Sequence, residues 1–304
     1  MPPSMSSFTV SVPATTANIG PGFDCLGAAL TLHNHVTFTA LPEAGGLEMV
    51  IRGRDADKIS TDTDNLLYQA IVDVFNYIQQ PVPGLKLTVD LEVPLSRGLG
   101  SSATAIVAGL VGANQWAGNP LSLEELLHLA VIREGHPDNV APALLGGCQL
   151  AVDGALIPLT WPAEFVPVVA IPEFELSTEA ARSVLPSQYG REAAIFNASH
   201  LALFVEALQQ GREDWLAIAL QDKIHQPYRQ KLILGFEQLH AAAIQAGAYN
   251  LVISGAGPTL LAITSPDVAD SVADVLVATW KELGVVAESL CLEINPQGAT
   301  VKPA

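Results

Sequence analysis

The segment from Pro94 to Thr104 constrains the fold of this chain more than any other. It reads Pro-Leu-Ser-Arg-Gly-Leu-Gly-Ser-Ser-Ala-Thr and lies between an alternating run, Leu85–Val93, and an apolar helical stretch from Ser101 to about Trp116. The pattern predicts strand, tight turn, helix. Gly98 and Gly100 permit positive φ and close backbone approach. The unpaired N–H groups of the first helical turn then face outward, where the helix dipole favours an anion. Ser101, Ser102 and Thr104 add hydroxyls suited to phosphate oxygens or to Mg²⁺, and Arg97 is the only cation inside the loop. A glycine turn with a serine N-cap is the plain alternative for so short a string. It is not a Walker A loop, because the GK[ST] lysine is absent, nor is the GxGxxG dinucleotide fingerprint met.

Charge narrows the partners. Lys and Arg total 14 against 31 Asp and Glu, a net charge of −17 over 304 residues. Nucleic acid and anionic membrane surfaces need clustered basic residues, so neither is expected as a partner. A small anion held by a few placed groups remains compatible. The 49% hydrophobic content excludes intrinsic disorder. Cys25, Cys148 and Cys291 show neither CxxC nor zinc-ligand spacing. The first ten residues have no basic n-region and no signal-like apolar core. The apolar helix around Ile106–Val111 is ended by Asn114 and Gln115 well short of a membrane span of about 20 residues. A soluble protein in the reducing cytoplasm is expected.

The length sets a prior of about two domains. Strands are expected at Phe8–Val12, Val36–Thr39, Leu85–Val93, Gly146–Val152, Val166–Ile171, Asn250–Ser254, Leu260–Thr264 and Val285–Leu292. Helices are expected over 64–78, 101–116 and 122–132, then near 192–210, 212–221, 229–246 and 266–283. Ser122 with Glu125 forms a capping box. Prolines 158, 162 and 167 mark the boundary, giving domains 1–160 and 161–304. Strands and helices intermingle without strict βαβα order, which favours two α+β domains over one doubly wound sheet.

Other constellations carry chemistry, each with a plainer reading beside it. Asn18 and Asp24 lie in a Gly/Pro-rich loop where Asx-turns are common, yet Asp24 is also suited to accept from an ammonium group. Glu134, His136, Asp138 and Asn139 follow an apolar helix. They form either a polar C-terminal cap around Gly135 or a Mg²⁺ carboxylate with polar groups facing a substrate. Asp138 has two readings, orienting His136 or tying down the turn. Arg182 and Arg229 are either surface or ion-pair residues or planar forks for a carboxylate. Asn65 opens a helix, where capping is a sufficient role. Gly255, Gly257 and Pro258 read as a tight turn between two strands.

Three of these segments, in order, resemble the GHMP kinase superfamily, and their form resembles its homoserine kinase branch. They are Val12–Gly27, with Asn18, Gly22 and Asp24; Pro94–Ala105; and Ser254-Gly-Ala-Gly-Pro-Thr259. Glu134-Gly-His136-Pro-Asp138-Asn139 is similar to that branch's central segment. Ser177-Thr178-Glu-Ala-Ala-Arg182 and His225-Gln-Pro-Tyr-Arg229 match further hallmarks. The resemblance implies a two-domain α+β GHMP kinase fold, with an N-terminal ribosomal-protein-like α/β domain and a C-terminal ferredoxin-like domain. It implies transfer of the γ-phosphate of ATP to the hydroxyl of L-homoserine, a step in threonine biosynthesis, with Mg²⁺ as cofactor.

By that resemblance ATP is bound by Asn65, Pro94, Leu95, Ser96, Arg97, Gly98, Leu99, Gly100, Ser101, Ser102, Ala103 and Thr104. Ser101 and Glu134 take the metal, and with Asn139 they form the catalytic set. Asn18, Asp24, His136, Asn139, Thr178, Arg182 and Arg229 hold homoserine. The Gly255–Pro258 loop is expected to shape the cleft, with the site between the domains. A homodimer is one option the family offers. None of the six lysines falls in these motifs, which speaks against an Asp–Lys base. Transition-state stabilisation near Asn139, a phosphate oxygen as acceptor of the proton, and His136 as base all stay open. The competing functions are another GHMP kinase, acting on mevalonate, shikimate or a sugar, and a nucleotide-binding regulator without activity. The latter predicts loss of Glu134 or the two arginines, which are present.

Overall fold

The structure is a computed structural model that describes residues 7–42 and 45–304. The first half is built on a sheet with helices against one face. Its elements are β1 (Ser7–Ala17), β2 (Leu26–Ala40), β3 (Leu47–Gly53), α1 (Leu66–Tyr77), β4 (Leu85–Leu91), α2 (Ser101–Trp116), α3 (Leu123–Glu134), α4 (Pro137–Leu145), β5 (Cys148–Val152) and β6 (Ala155–Leu159). β1 and β2 pair antiparallel, β2 pairs antiparallel with β4, and β3 lies parallel to β4. A parallel pair needs a crossover connection, and α1 supplies it. β5 extends the sheet at the start of β2, and β6 folds back on β5.

The second half comprises β7 (Val166–Pro172), α5 (Thr178–Ser183), α6 (Arg191–Gln210), α7 (Glu213–Ala219), α8 (Gln226–Arg229), α9 (Phe236–Gln245), β8 (Asn250–Ile253), β9 (Leu260–Thr264), α10 (Ala269–Glu282), β10 (Ala287–Cys291) and β11 (Thr300–Pro303). Its antiparallel sheet runs β10-β7-β9-β8, the ferredoxin-like order that the resemblance implied. β7, β8 and β9 are buried on both faces, which explains why their sequences read as nearly unbroken apolar runs. Alternate residues serve different cores: Val168, Ala170, Leu260 and Ala262 pack with α9 and α10, while Val169, Ile171, Leu261 and Ile263 pack towards α6, α7 and the first sheet. That second cluster includes Ile19, Leu26, Val93 and Leu99, so one apolar core joins the two halves directly behind the glycine loop.

Several expectations need correction. β3, β6, α4, α5 and β11 were not foreseen. β11 pairs antiparallel with β1 at Phe8–Ser11, carrying the end of the chain back to the first sheet. The expected helix over 229–246 forms only from Phe236 as α9: α8, which was not expected, ends at Arg229, a 3₁₀ turn spans Gln230–Leu232, and Gly235 at φ 77° precedes α9. α4 escaped notice because Pro142 lies inside it, and an interior proline normally argues against a helix. It forms nonetheless, with His136 extended at the N-cap and Pro137 in the first turn, where a missing N–H costs nothing.

Candidate active site

The glycine loop connects β4 to α2 with Ser96, Gly98 and Gly100 all at positive φ. Each glycine is required by a close approach. A Cβ on Gly98 would lie 2.2 Å from the carbonyl of Ser254, and one on Gly100 would lie 1.9 Å from Thr15 Oγ1. The loop is tied on both sides. Thr15 N–H donates to the Leu99 carbonyl at 3.1 Å, Thr259 N–H donates to the Arg97 carbonyl at 3.2 Å, and Ser254 Oγ donates to the Gly98 carbonyl at 2.7 Å. The 254–259 turn is thereby fixed against the loop, with Asn18 Nδ2 donating to the Gly255 carbonyl at 3.0 Å.

These contacts wall a polar cleft of about 580 Å³. Asn18, Ser96, Gly98, Gly100, Ser101, Ser102, Glu134, His136, Asn139, Thr178, Arg182 and Arg229 all line it, together with Leu176 and Gly255–Gly257. A second, mostly apolar pocket of about 430 Å³ adjoins it through Ser101. Val36, Ile51, Leu67, Val89, Leu91, Leu95, Asn65 and Thr104 are among its lining residues.

Arg229 is 1% exposed. Its Nε donates to the Ala181 carbonyl and its Nη1 to the Gly255 carbonyl, each at 3.1 Å. Arg182 makes a two-pronged ion pair with Asp24, at 2.7 and 3.0 Å. Phe23 lies beneath both guanidinium groups, 5.7 Å from Arg182 and 5.0 Å from Arg229. Asp24 is held by its own N–H donating to Asn18 Oδ1 at 2.8 Å. Two opposite charges therefore stand side by side at one end of the cleft, each with a partner that a zwitterion is able to replace.

At the opposite wall, Glu134 Oε1 accepts from Ser102 Oγ at 2.8 Å. Burial pushes the Glu134 carboxyl above its ordinary value, against the pull of the Ser102 hydrogen bond. His136 Nδ1 is 2.7 Å from Asp138 Oδ1. That hydrogen bond, opposed by burial, raises the imidazole above its usual range, so Nδ1–H donates and the ring tends towards its charged form. Asn139 Oδ1 accepts from Thr15 Oγ1 at 2.8 Å, which joins α4 to β1 beneath Gly100.

Sequence-expected residues fall into three groups. Those lining the polar cleft are named above. Asp24 reaches the site through Arg182, while Asn65, Leu95 and Thr104 sit in the apolar pocket. Pro94, Arg97, Leu99 and Ala103 line neither cavity. The Leu99 and Ala103 side chains are wholly buried in the cores, so only their backbone is available to a ligand. Asn65 has both ends of its amide engaged, accepting from Leu67 N–H at 2.9 Å and donating to the Ser60 carbonyl at 2.6 Å; it is a helix cap. Arg97, expected among the ATP-binding residues, has its guanidinium bound to Asp55 and to the Leu95, Pro172 and Glu173 carbonyls. Sequence reading missed Thr15, Phe23 and Leu176. The first two lie inside the Val12–Gly27 motif, and Leu176 precedes the Ser177 cap, so proximity to a motif was the available signal.

The chain resembles known proteins along nearly its whole length. The family model for the GHMP kinases N terminal domain matches residues 65–147, and that for the GHMP kinases C terminal matches residues 204–282. The chain is 66% identical to a homoserine kinase of Synechocystis sp. over 98% of its length and 99% of the relative's. A homoserine kinase of Synechococcus sp. is 58% identical over 96% of this chain and 97% of that one. The crystal structure of a homoserine kinase from Cytophaga hutchinsonii superposes with a TM-score of 0.90 at 29% identity, covering 98% of each chain. The likeness to the L. major mevalonate kinase solved in complex with R-mevalonate has a TM-score of 0.73 at 18% identity, covers 95% of this chain and 96% of that one, and reflects the shared fold. No described helix is long and apolar enough to cross a membrane. With two thirds of its residues shared with a homoserine kinase over nearly its full length, and both halves matched by the GHMP kinase models, the chain belongs to the homoserine kinase family of the GHMP kinases.

Proposed function

We propose that the protein transfers the γ-phosphoryl group of ATP to the side-chain hydroxyl of L-homoserine, giving O-phospho-L-homoserine for threonine biosynthesis. The observation that carries this reading is the Asp24–Arg182 pair beside Arg229 in the cleft. A free amino acid carries one ammonium and one carboxylate. Asp24 takes the first and Arg182 with Arg229 the second, an exchange in which Asp24 and Arg182 each trade one counter-charge for another. Mevalonate, shikimate and sugars have no ammonium to offer Asp24.

The nucleotide base occupies the apolar pocket beside Leu95 and Thr104. The triphosphate runs along Gly98–Ser102 at the N-terminus of α2, where backbone N–H groups and hydroxyls meet it. Ser101 and Glu134 fit a Mg²⁺ ion. Glu134 is a desolvated carboxylate at the phosphate end of the cleft, and Mg²⁺ typically takes one or two protein oxygens with phosphates and waters completing the shell. When bound, the ion neutralises charge on the transferring group. Ser102 holds the Glu134 carboxylate in place.

In-line transfer needs positioning more than covalent chemistry. Arg182, Arg229, Asp24 and Asn18 fix the backbone end of the amino acid, and Thr178 adds a hydroxyl. Asn139 faces the acceptor hydroxyl, with its amide oriented by Thr15. His136, its pKa raised by the hydrogen bond to Asp138, serves as an electrostatic partner of the substrate. The enzyme works in the cytoplasm, a reading supported by three free cysteines. We divide the chain for this purpose into 1–160, supplying the nucleotide site, and 161–304, supplying the arginines.

The test is an acceptor series assayed by ADP release with MgATP: L-homoserine, then 4-hydroxybutyrate without the ammonium, then 3-aminopropanol without the carboxylate. Loss of kcat/KM by about 100-fold or more for each truncated acceptor is expected, since 3-aminopropanol offers buried Arg229 no carboxylate and 4-hydroxybutyrate offers Asp24 no ammonium. Equal use of all three contradicts the zwitterion reading.

A further inference from the structure

Arg97 stands inside the phosphate loop yet points its charge away from the cleft. It is 4% exposed and makes four hydrogen bonds. Within its own half of the molecule, Nη1 donates to Asp55 Oδ2 at 3.0 Å and to the Leu95 carbonyl at 2.8 Å. Across to the other half, Nε donates to the Pro172 carbonyl at 3.0 Å and Nη2 to the Glu173 carbonyl at 2.7 Å. Pro172 ends β7, and the chain continues from there through Leu176 and Thr178 into α5, which carries Arg182. The same connection is stitched to the loop once more, Leu176 N–H donating to the Ser96 carbonyl at 3.1 Å.

Asp55 is shaped for this task. It sits at φ 59° ahead of a short 3₁₀ turn. Its carboxylate takes Arg97, the Leu95 N–H at 3.3 Å and Lys58 at 2.7 Å. Lys58 in turn reaches Glu175 at 2.5 Å, a second strap between the halves. That outer pair is exposed and contributes little on its own. Arg97 is different, because a planar guanidinium holds several acceptors in one fixed plane, and its removal takes a donor from the buried Pro172 carbonyl.

We propose that Arg97, held by Asp55, is a positioning residue that sets the acceptor-binding connection between β7 and α5 in register with the phosphate loop. The proposal rests on the phosphotransfer reading above. Nucleotide affinity in the absence of acceptor does not depend on it, because Gly98, Gly100 and the start of α2 are fixed by Ser254, Thr15 and Leu99 instead. Acceptor binding and turnover do depend on it, because Thr178 and Arg182 follow the segment that it ties down.

The experiment compares wild type with Arg97→Met, Arg97→Lys, Asp55→Asn and the Asp55→Asn/Arg97→Met double variant. It reads the Kd of the non-hydrolysable analogue MgAMP-PNP without acceptor, and then kcat and the acceptor KM at saturating MgATP. The expected result for Arg97→Met is a KM for L-homoserine raised at least fivefold and a kcat lowered at least fivefold, with the MgAMP-PNP Kd within threefold of wild type. Asp55→Asn moves the same constants in the same direction by less, and the double variant is no worse than Arg97→Met alone within twofold. Arg97→Lys, which keeps the charge and loses the fork, falls between the two and serves as the test if Arg97→Met does not fold.

A tenfold or greater rise in the MgAMP-PNP Kd with an unchanged acceptor KM would make Arg97 a phosphate ligand and overturn the proposal. Unchanged Kd, KM and kcat with only a lowered melting temperature would make it merely structural, and would overturn it too. A wild type idle with homoserine but active with another acceptor sinks the substrate reading alone, and the same variants are then read with that acceptor.

Discussion

The chemistry turns on a few side chains whose proton affinity is shifted by their surroundings. Glu134 is the clearest case. Burial raises its carboxyl pKa in the folded chain, so the native state binds that proton more tightly than the unfolded state. Stability attributable to this group therefore falls as pH rises from the ordinary carboxylate range through the raised value. Glu134→Gln removes the penalty. Calorimetry of the metal-free protein is expected to show a higher melting temperature for the variant at neutral pH, with the difference vanishing towards about pH 4, where the acid is protonated in both states. The same variant is expected to lose about 100-fold or more in kcat, because a neutral amide does not replace a carboxylate at Mg²⁺. His136 shows the opposite use of a carboxylate. Asp138 raises its pKa, and the charged ring favours the substrate carboxylate at pH values below that raised pKa. The KM for homoserine is expected to rise as pH climbs through it. Asp138→Asn shifts that rise to lower pH, towards the ordinary imidazole value of about 6.5, as NMR titration of the ring and a KM–pH profile will register.

At the scale of elements, the loop between β4 and α2 functions because it is wedged, not because it is flexible. A methyl group on Gly98 meets the backbone carbonyl of Ser254, which has no room to give. Gly118 also has positive φ, at 88°, but nothing lies within 4 Å of its missing Cβ. Gly118→Ala is expected to cost about 1 kcal/mol from its backbone conformation alone and to leave the KM for MgATP unchanged. Gly98→Ala is expected to raise that KM at least tenfold, as steady-state kinetics and denaturant melts of the pair will show. The wedge was readable as glycine, serine and glycine between a strand and a helix; its partners were not, since Thr15 and Ser254 lie 85 and 154 residues away in the chain by their numbering. The same distinction runs through the site. Alternation and capping revealed β4, α1, α2 and α3, where local pattern and burial agree. α4 was hidden by Pro142, and β11 by its length of four residues. Arg182 and Arg229 were recognisable as candidate forks, whereas the Asp24 ion pair and the Phe23 platform beneath them arise only from tertiary packing.

For the whole molecule, the cleft exists because two sheets share one core. Ile19, Leu26, Val93 and Leu99 from the first half pack with Val169, Leu261 and Phe204 from the second, so the loop and the arginines are supported by the same apolar surface. β11 closes this arrangement by returning to β1. Deleting residues 299–304 strips the hydrogen-bonding partner from Phe8–Ser11, none of which lines the cleft. A fall in melting temperature of roughly 4 °C or more is expected, with kcat at 25 °C retained within about threefold; a loss of kcat without a change in melting temperature would contradict this placement. The central claim concerns the reaction itself, and a coupled ADP-release assay with MgATP tests it most directly. L-homoserine is offered beside mevalonate, shikimate, galactose and L-serine. Turnover with homoserine, absent or at least about 100-fold weaker with the others in kcat/KM, is the predicted result. Preference for any other acceptor, or no turnover with tight ATP binding, would contradict it.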